Sequence, residues 1–167
     1  MGYYRIKSYA KINISLKVLR KLKSNLHKIE SLVSFINVYD EIFVKKINNK
    51  DHKIVFYGQF SKGISKKNTI SILLKIIEKK LNGQKYLIKV NKKIPQKSGM
   101  GGGSMNASSL LKFLIKNQKL NLSSNEISKI SSKIGTDVII GMQNKKSILY
   151  GNGRLKNLNK NINLYIL

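Results

Sequence analysis

The sequence contains no cysteine. This excludes a disulfide framework and any metal site built from thiolates. No run of apolar residues is long enough to cross a membrane as a helix, and the N-terminal residues lack the apolar core of a signal peptide. We therefore expect a cytoplasmic protein that does not enter the membrane.

Acidic residues are scarce, with 7 Asp and Glu against 33 Lys and Arg and a formal net charge of +26. A charge of this size attracts polyanions, so one hypothesis is a domain that binds nucleic acid. However, the lysines are spread through every segment, and Lys, Asn and Ile are abundant together, which indicates a compositional bias of the whole genome. We interpret most of the charge as solvated surface that would still favour a substrate carrying phosphates.

The 167 residues, 41% of them hydrophobic, are enough for one domain with a core. Alternating apolar residues predict strands at 5–10, 12–19, 31–38, 42–47, 52–57, 85–90, 147–150 and 162–167. The first five are predicted to form an antiparallel meander, with turns at Asp40-Glu41 and at residues 48–51. Helical spacing predicts three helices, the first capped by Asn68, the second after the glycines at 99–103 and the third capped by Ser123. This order predicts an α+β fold in which a mixed sheet packs against helices.

Four of the chain's twelve glycines lie between residues 99 and 103. A predicted strand precedes them and a predicted helix follows. Because glycine has no Cβ, backbone amides there can approach a ligand closely, and the helix N-terminus adds partial positive charge. The loop therefore predicts a phosphate site, whereas the alternative, a tight turn with a helix cap, needs only one or two glycines.

Two better-known glycine motifs do not fit this loop. A Walker A loop requires a lysine directly after the glycines, and none is present. A dinucleotide-binding fingerprint requires a third glycine where Ser104 stands. The pattern that remains is P-x-x-x-G-x-G-G-G-S-x-N.

Phosphoryl transfer also needs a group that orients the acceptor hydroxyl. Among the seven carboxylates, Asp137 is the candidate, because it directly precedes the apolar residues 138–140, where a carboxylate needs a partner or a task. The alternative is an ordinary N-cap or turn residue. Lys11 lies in an apolar strand, where a buried lysine needs an anion beside it, unless it is simply a solvated lysine. His27 is either a turn residue or a ligand contact.

Three blocks of the chain resemble the GHMP kinases and, among them, the 4-diphosphocytidyl-2-C-methyl-D-erythritol kinase family. They are residues 9–16 (YAKINISL), 94–107 (IPQKSGMGGGSMNA) and 134–138 (IGTDV). The resemblance implies that residues 1–167 form that family's N-terminal domain, with a ribosomal protein S5 domain 2-like topology. It also implies ATP and Mg²⁺ as cofactors and phosphorylation of the 2-hydroxyl of a diphosphocytidyl polyol.

By the same resemblance, Asp137 would orient or deprotonate the acceptor hydroxyl, and Lys11 would hold Asp137. Asn13 and His27 would contact the substrate, with His27 at the cytosine edge. The hydroxyl of Ser104 would lie near Mg²⁺. The nucleotide would be bound by Asn68 and, at its phosphates, by Pro95, Gln96, Lys97, Ser98, Gly99, Met100, Gly101, Gly102, Gly103, Ser104 and Met105.

The chain departs from the family pattern at residues 24–27, which are SNLH where the family has D-G-Y-H, and at Met105. Leu26 stands where the family has an aromatic residue, so cytosine would lose a stacking partner, and Met105 replaces a serine. The chain also stops inside the apolar run 162–167, so we expect a piece of a longer protein without its C-terminal domain. The alternatives are another GHMP kinase, of homoserine or mevalonate type, and a nucleic-acid-binding domain on an S5-like scaffold. The sequence does not indicate the oligomeric state.

Overall fold

The computed structural model describes residues 2–21, 27–143, 147–150 and 155–157, without the side chains of residues 20, 21, 27–29, 155 and 157. The strands are Tyr4–Lys21 (β1), His27–Ile47 (β2), Lys53–Tyr57 (β3), Lys85–Asn91 (β4), Ser147–Leu149 (β5) and Leu155–Asn157 (β6). The α-helices are Thr69–Ile77 (α1), Gly102–Asn117 (α2), Ser124–Ile134 (α3) and Val138–Gln143 (α4), and a 3₁₀ turn at Glu78–Leu81 follows α1. The described elements confirm an α+β fold.

The described strands form one mixed sheet in the order β3-β4-β2-β5-β6, with β1 paired to β2. Strand β2 pairs with β1, β4 and β5, and all three pairings are antiparallel. Strands β3 and β4 are parallel, with Ile54 opposite Ile88. The predicted antiparallel meander is therefore wrong for β3, because β4 lies between β2 and β3. Helix α1 lies in the β3–β4 connection and supplies the crossover that a parallel pair requires.

Strands β1 and β2 are both longer than the sequence predicts. β1 combines the two predicted strands, with a register irregularity between Tyr9 and Lys11. β2 continues through Asp40 and Glu41, so the predicted turn at these residues is wrong. The side chain of Asp40 is fully buried, and it accepts hydrogen bonds from the backbone amides of Lys93 (2.7 Å) and Ile94 (2.9 Å). Partners distant in sequence thus allow a carboxylate to lie inside a strand.

The hydrophobic core lies between the sheet and helices α1 and α2. The predicted apolar residues of these helices pack with the sheet residues Ile42, Val44, Ile88 and Val90. The helix residues are buried: Ile70, Leu73, Leu74, Ile77, Ala107, Leu110, Leu111 and Leu114. This packing fixes the N-terminus of α2 near the end of β4.

Two predicted helix starts are confirmed in atomic detail. The Asn68 side chain accepts hydrogen bonds from the amides of Ile70 (3.1 Å) and Ser71 (3.0 Å), while Ser71 completes a capping box. Ser123 and Glu126 form a second capping box at α3. Each N-cap contributes about 1 kcal/mol to stability, so the sequence defines these two boundaries locally.

At the C-terminal end, the predicted strand at 147–150 is confirmed as β5, and β6 was not predicted from the sequence. The predicted strand at 162–167 lies outside the described residues. Within the described ranges, no helix combines the length and apolar character needed to span a membrane.

Candidate functional site

A cavity of about 460 Å³ opens where β4 ends and where α1 and α2 begin. All residues of the predicted phosphate loop from Pro95 to Ser104 line it, with the exception of Met100. Asn68, Lys92 and Asp137 also contribute to the wall. The volume is within the usual range for small-molecule sites. The structure therefore gathers most of the predicted nucleotide-binding residues around one cavity.

Two glycines of the loop are required by the space around them. Gly101 has φ = 68°, and a Cβ atom there would lie 3.0 Å from Cγ of Lys11. A Cβ atom on Gly102 would lie 3.1 Å from Cγ2 of Ile94 and 3.2 Å from Nζ of Lys92. Other residues would strain the backbone at Gly101 and crowd the neighbours at both positions. The glycines thus allow the loop to pack directly on Lys11 and Lys92.

Helix α2 begins inside the glycine run, at Gly102, with Gly101 as its N-cap. Because Gly101 has no side chain, it cannot cap the first turn. The amides of Gly102, Gly103 and Ser104 have no hydrogen-bond acceptor among the residues that the structure describes. Free first-turn amides and the positive end of the helix dipole form a binding site for an anion. Because these three residues line the cavity, the anion would lie inside it.

Several polar side chains of the cavity wall bind other parts of the protein. Asn68 Oδ1 accepts two amide hydrogen bonds, and its Nδ2 donates to the carbonyls of Ser65 and Lys66. Gln96 donates to the carbonyls of Phe60 (2.9 Å) and Lys62 (2.7 Å). The hydrogen-bonding capacity of Asn68 is therefore filled. Both residues shape the wall of the cavity through these contacts.

A threonine that the sequence did not single out connects the two helix starts. Thr69 Oγ1 donates a 2.7 Å hydrogen bond to the carbonyl of Gly103. Thr69 is the first residue of α1, and Gly103 is in the first turn of α2. The bond holds the two N-termini together at the cavity.

The two methionines of the predicted loop do not line the cavity. Met100 contributes its carbonyl, which accepts a 3.0 Å hydrogen bond from the amide of Lys11. Met105 is 1% exposed. Because α2 starts at Gly102, Met105 falls on a buried side of the helix. The structure does not bring the side chain of Met105 to the predicted site.

Lys11 and Asp137 meet at the edge of the cavity. Nζ of Lys11 lies 3.3 Å from Oδ2 of Asp137 and donates a 2.8 Å hydrogen bond to Oδ1 of Asn13. The lysine side chain is 8% exposed and that of Asp137 is 30% exposed. Asp137 directly precedes α4, but no backbone amide among the described residues donates to its carboxylate. The carboxylate is therefore open to the cavity and does not act as a cap.

The structure describes His27 and the predicted Mg²⁺ contact of Ser104 in less detail. His27 begins β2 opposite Lys21, but its side chain lies outside the described part of the chain, as does all of Leu26. Ser104 lines the cavity. No cluster of three or more His, Asp or Glu side chains suited to a metal ion occurs among the described residues. The predicted contact of Ser104 with Mg²⁺ stays a prediction.

Sequence reasoning missed one buried ion pair at the cavity, between Lys92 and Asp40. The lysine side chain is 5% exposed and the aspartate side chain 0%. The available signal was the alternation of β2, which places Asp40 on the buried face with Ile42 and Val44. The predicted turn at Asp40-Glu41 interrupted the strand pattern, so Asp40 was not recognised as a buried strand residue.

Comparison with known proteins places the chain in a family. Residues 68–152 match the family described as GHMP kinases N terminal domain. The chain belongs to the GHMP kinases. The matched residues run from the cap of α1 through the glycine loop and Asp137 to β5. They therefore include most of the cavity wall of this GHMP kinase chain.

Individual relatives of this GHMP kinase chain agree with the family match. A 4-diphosphocytidyl-2-C-methyl-D-erythritol kinase from Pelagibacter ubique (strain HTCC1062) is 53% identical over 100% of this chain, which covers 60% of that relative. An enzyme of the same name from Caldicellulosiruptor bescii is 33% identical over 80% of this chain and 47% of its own length. The chain thus spans about half to three fifths of these relatives.

A solved structure shows the same fold. The crystal structure of a 4-(cytidine 5'-diphospho)-2C-methyl-D-erythritol kinase matches with a TM-score of 0.75 at 22% identity. The match covers 93% of this chain and 55% of that chain. The predicted fold, the N-terminal domain of the GHMP kinases, is confirmed.

Proposed function

We propose that this chain forms the ATP-binding part of a kinase that phosphorylates the 2-hydroxyl of 4-diphosphocytidyl-2-C-methyl-D-erythritol. The observation that carries the proposal is the uncapped first turn of α2, whose three glycine-loop amides face a cavity of about 460 Å³. The choice of substrate is supported by the relatives that bear this name, at 53% and 33% identity. These relatives favour it over a homoserine or mevalonate kinase and over a nucleic-acid-binding domain.

In this proposal the loop binds the nucleotide through its backbone. The amides of Gly102, Gly103 and Ser104 hold the phosphate oxygens, because they have free N–H groups at the positive end of α2. Mg²⁺, bound with ATP, would neutralise phosphate charge, and the hydroxyl of Ser104 is the side chain that would contact it. Ser104 lines the cavity, and its hydroxyl has no hydrogen-bond partner within the described part of the chain, which supports such a role.

Asp137 acts on the acceptor alcohol. Its carboxylate accepts a hydrogen bond from the 2-hydroxyl and takes the proton as the hydroxyl oxygen bonds to the γ-phosphorus and the bond to ADP breaks. Lys11 holds the carboxylate through its ammonium, whose Nζ lies 3.3 Å from Oδ2 of Asp137. A loose transition state requires alignment and charge more than a strong base. Asn13 and His27 are the predicted substrate contacts.

The decisive experiment detects phosphorylated product by mass spectrometry after incubation with ATP, Mg²⁺ and 4-diphosphocytidyl-2-C-methyl-D-erythritol. The chain is tested as it stands and joined to the C-terminal remainder of the Pelagibacter ubique relative. We expect a product heavier by one phosphate. Asp137→Asn should slow its formation by about 10²- to 10⁴-fold, as expected for removal of an acid–base group.

Asp51→Asn serves as the matched control, because Asp51 lies in an exposed bend away from the cavity. It should form product at the rate of the unsubstituted protein. If both the chain alone and the joined protein bound ATP and neither formed product, the proposed substrate would be contradicted. Absence of ATP binding in both forms would contradict the kinase assignment itself.

A further inference from the structure

The ion pair of Lys92 and Asp40 is the most buried ion pair among the described residues. Asp40 lies in the middle of β2, and Lys92 directly follows β4. Besides the ammonium, the carboxylate accepts the amides of Lys93 at 2.7 Å and Ile94 at 2.9 Å. Asp40 therefore binds three consecutive residues that lead from β4 into the glycine loop.

The backbone of Lys92 is fixed as firmly as its side chain. Its amide donates a 2.7 Å hydrogen bond to the carbonyl of Tyr57, and its own carbonyl accepts the amide of Phe60 at 3.3 Å. The end of β3 therefore holds Lys92 from one side while Asp40 holds it from another. The ammonium has one defined position next to the loop.

That position is the start of α2. Lys92 lines the cavity, and its Nζ lies 3.2 Å from the point that a Cβ atom of Gly102 would occupy. An ammonium has three N–H donors, and Asp40 is its only hydrogen-bond acceptor among the residues that the structure describes. The remaining donors are available to a ligand in the cavity.

Burial of this pair is not explained by stability. Removing both charges from water is costly, and apolar residues often replace such pairs without loss of stability. In addition, an ammonium next to a helix N-terminus brings two positive features together, which is unfavourable unless an anion joins them. Asp40 supplies one negative charge outside the cavity. A bound anion inside it would satisfy both the ammonium and the helix amides.

We propose that Lys92 is the cation that binds a phosphate group of the nucleotide, and that Asp40 is the residue that positions it. A Walker A loop has a lysine directly after its glycines, and this loop has none. Lys92 reaches the same kind of anion from the residue that directly follows β4. Asp40 acts on the nucleotide through Lys92. This inference rests on the proposed nucleotide site.

Calorimetric titration with Mg²⁺-ATP tests the role of Lys92. Lys92→Met should weaken binding by about 10- to 100-fold, which corresponds to the loss of one hydrogen bond to a charged group. The matched control is Lys93→Met, because Lys93 is the next residue, is half-exposed and pairs with Glu41 away from the cavity. Its affinity should stay within about 2-fold of the unsubstituted protein, a difference well below one such hydrogen bond. Equal affinity of the folded Lys92→Met variant would overturn the inference.

Asp40 is tested by a double-variant cycle. Asp40→Asn should weaken ATP binding when Lys92 is present and should have no further effect in the Lys92→Met background. An equal effect in both backgrounds would overturn the positioning role, because Asp40 would then act without Lys92. Thermal unfolding of each variant separates loss of affinity from loss of fold.

A second measurement applies if the variants do not fold. The Nζ resonance of Lys92, observed by nuclear magnetic resonance in the unsubstituted protein, should shift on addition of Mg²⁺-ADP and stay unchanged with adenosine. Absence of a shift with bound ADP would overturn the role of Lys92. If the unsubstituted protein bound no nucleotide at all, the proposed function would fail, whereas normal ATP binding with an unaffected Lys92 would refute only this inference.

Discussion

At the scale of single residues, the candidate site depends on two glycines, which have no Cβ atom. The positions of Gly101 and Gly102 bring the loop to within van der Waals distance of Lys11, Lys92 and Ile94. The same contacts place the free amides of α2 beside the Lys11–Asp137 pair, since a Cβ atom on Gly101 would lie 3.5 Å from Oδ2 of Asp137. Glycine therefore connects the predicted phosphate cradle to the residue predicted to orient the alcohol.

Gly102→Val should weaken Mg²⁺-ATP binding by at least about 10-fold, or 1.4 kcal/mol. The branched side chain would meet Ile94 at 3.1 Å and Lys92 at 3.2 Å already at its Cβ atom, so the loop must shift or the valine must point into the cavity. Calorimetry measures the effect.

Gly103→Ala is the comparison for this variant. A Cβ atom there meets Oγ1 of Thr69 at 3.4 Å, an ordinary contact, so the loss of affinity should be smaller. An affinity of Gly102→Val equal to that of the unsubstituted protein would contradict the assignment of the loop.

At the scale of secondary-structure elements, β2 organises the molecule. It pairs with β1 and β4, and the two consecutive acidic residues at its centre point to opposite faces of the sheet. Asp40 faces the loop, whereas Glu41 accepts hydrogen bonds from Arg5 and Asn91 and pairs with Lys93. One strand thus fixes the path of the chain on both sides of the sheet.

Glu41 should make stability sensitive to acid. The hydrogen bonds from Lys93 and Arg5 lower its pKa from 4.5 to about 2. Because the folded pKa is below the unfolded one, the stabilisation is complete above pH 4.5 and is lost as the pH falls from 4.5 towards 2. Glu41→Gln should therefore be less stable than the unsubstituted protein at neutral pH, and the difference should shrink to zero over that interval.

Urea unfolding at several pH values measures this difference. Lys93→Met removes the largest cause of the lowered pKa of Glu41. This variant should therefore lose less stability between neutral pH and acid pH than the unsubstituted protein. If Glu41→Gln and the unsubstituted protein lost stability in parallel between pH 4.5 and 2, the role of Glu41 would be refuted.

At the scale of the whole molecule, charge is the dominant feature. Five of the 7 acidic residues take part in ion pairs among the described residues, namely Asp40, Glu41, Glu78, Glu126 and Asp137. They are too few to neutralise 33 cations. A net charge far from zero destabilises a compact state through self-repulsion. The same charge favours approach of a substrate that carries phosphates.

Salt should therefore raise the thermal stability of the protein. Increasing the NaCl concentration from about 0.01 M to about 0.15 M shortens the Debye length from about 30 Å to about 8 Å. Repulsion among the many exposed lysines is then screened, so the melting temperature should rise by a few °C. Differential scanning calorimetry without nucleotide measures the change, with sucrose at equal osmolality as the control. A fall in melting temperature would mean that screened ion pairs outweigh the repulsion.

The sequence by itself determined the features that neighbouring residues define. The caps at Asn68 and Ser123 each satisfy amides within three residues, so their helices start where the pattern predicts. The glycine run is also a local signal. A glycine at the N-cap has no side chain that could accept hydrogen bonds from the first-turn amides of the helix that follows. The three blocks that resemble the GHMP kinases indicated the family, which the comparisons confirm.

Tertiary structure alone decided which distant residues meet. Packing between elements determines three of the features that the sequence did not predict. They are the parallel pairing of β3 with β4, the continuous path of β2 through Asp40 and the buried position of Met105. The same is true of the 3.3 Å contact between Lys11 and Asp137, which a strand and a helix start bring together from opposite ends of the described chain. Long-range pairing depends on which strand edge and which helix face are free once the core has formed. No short window of sequence contains that information.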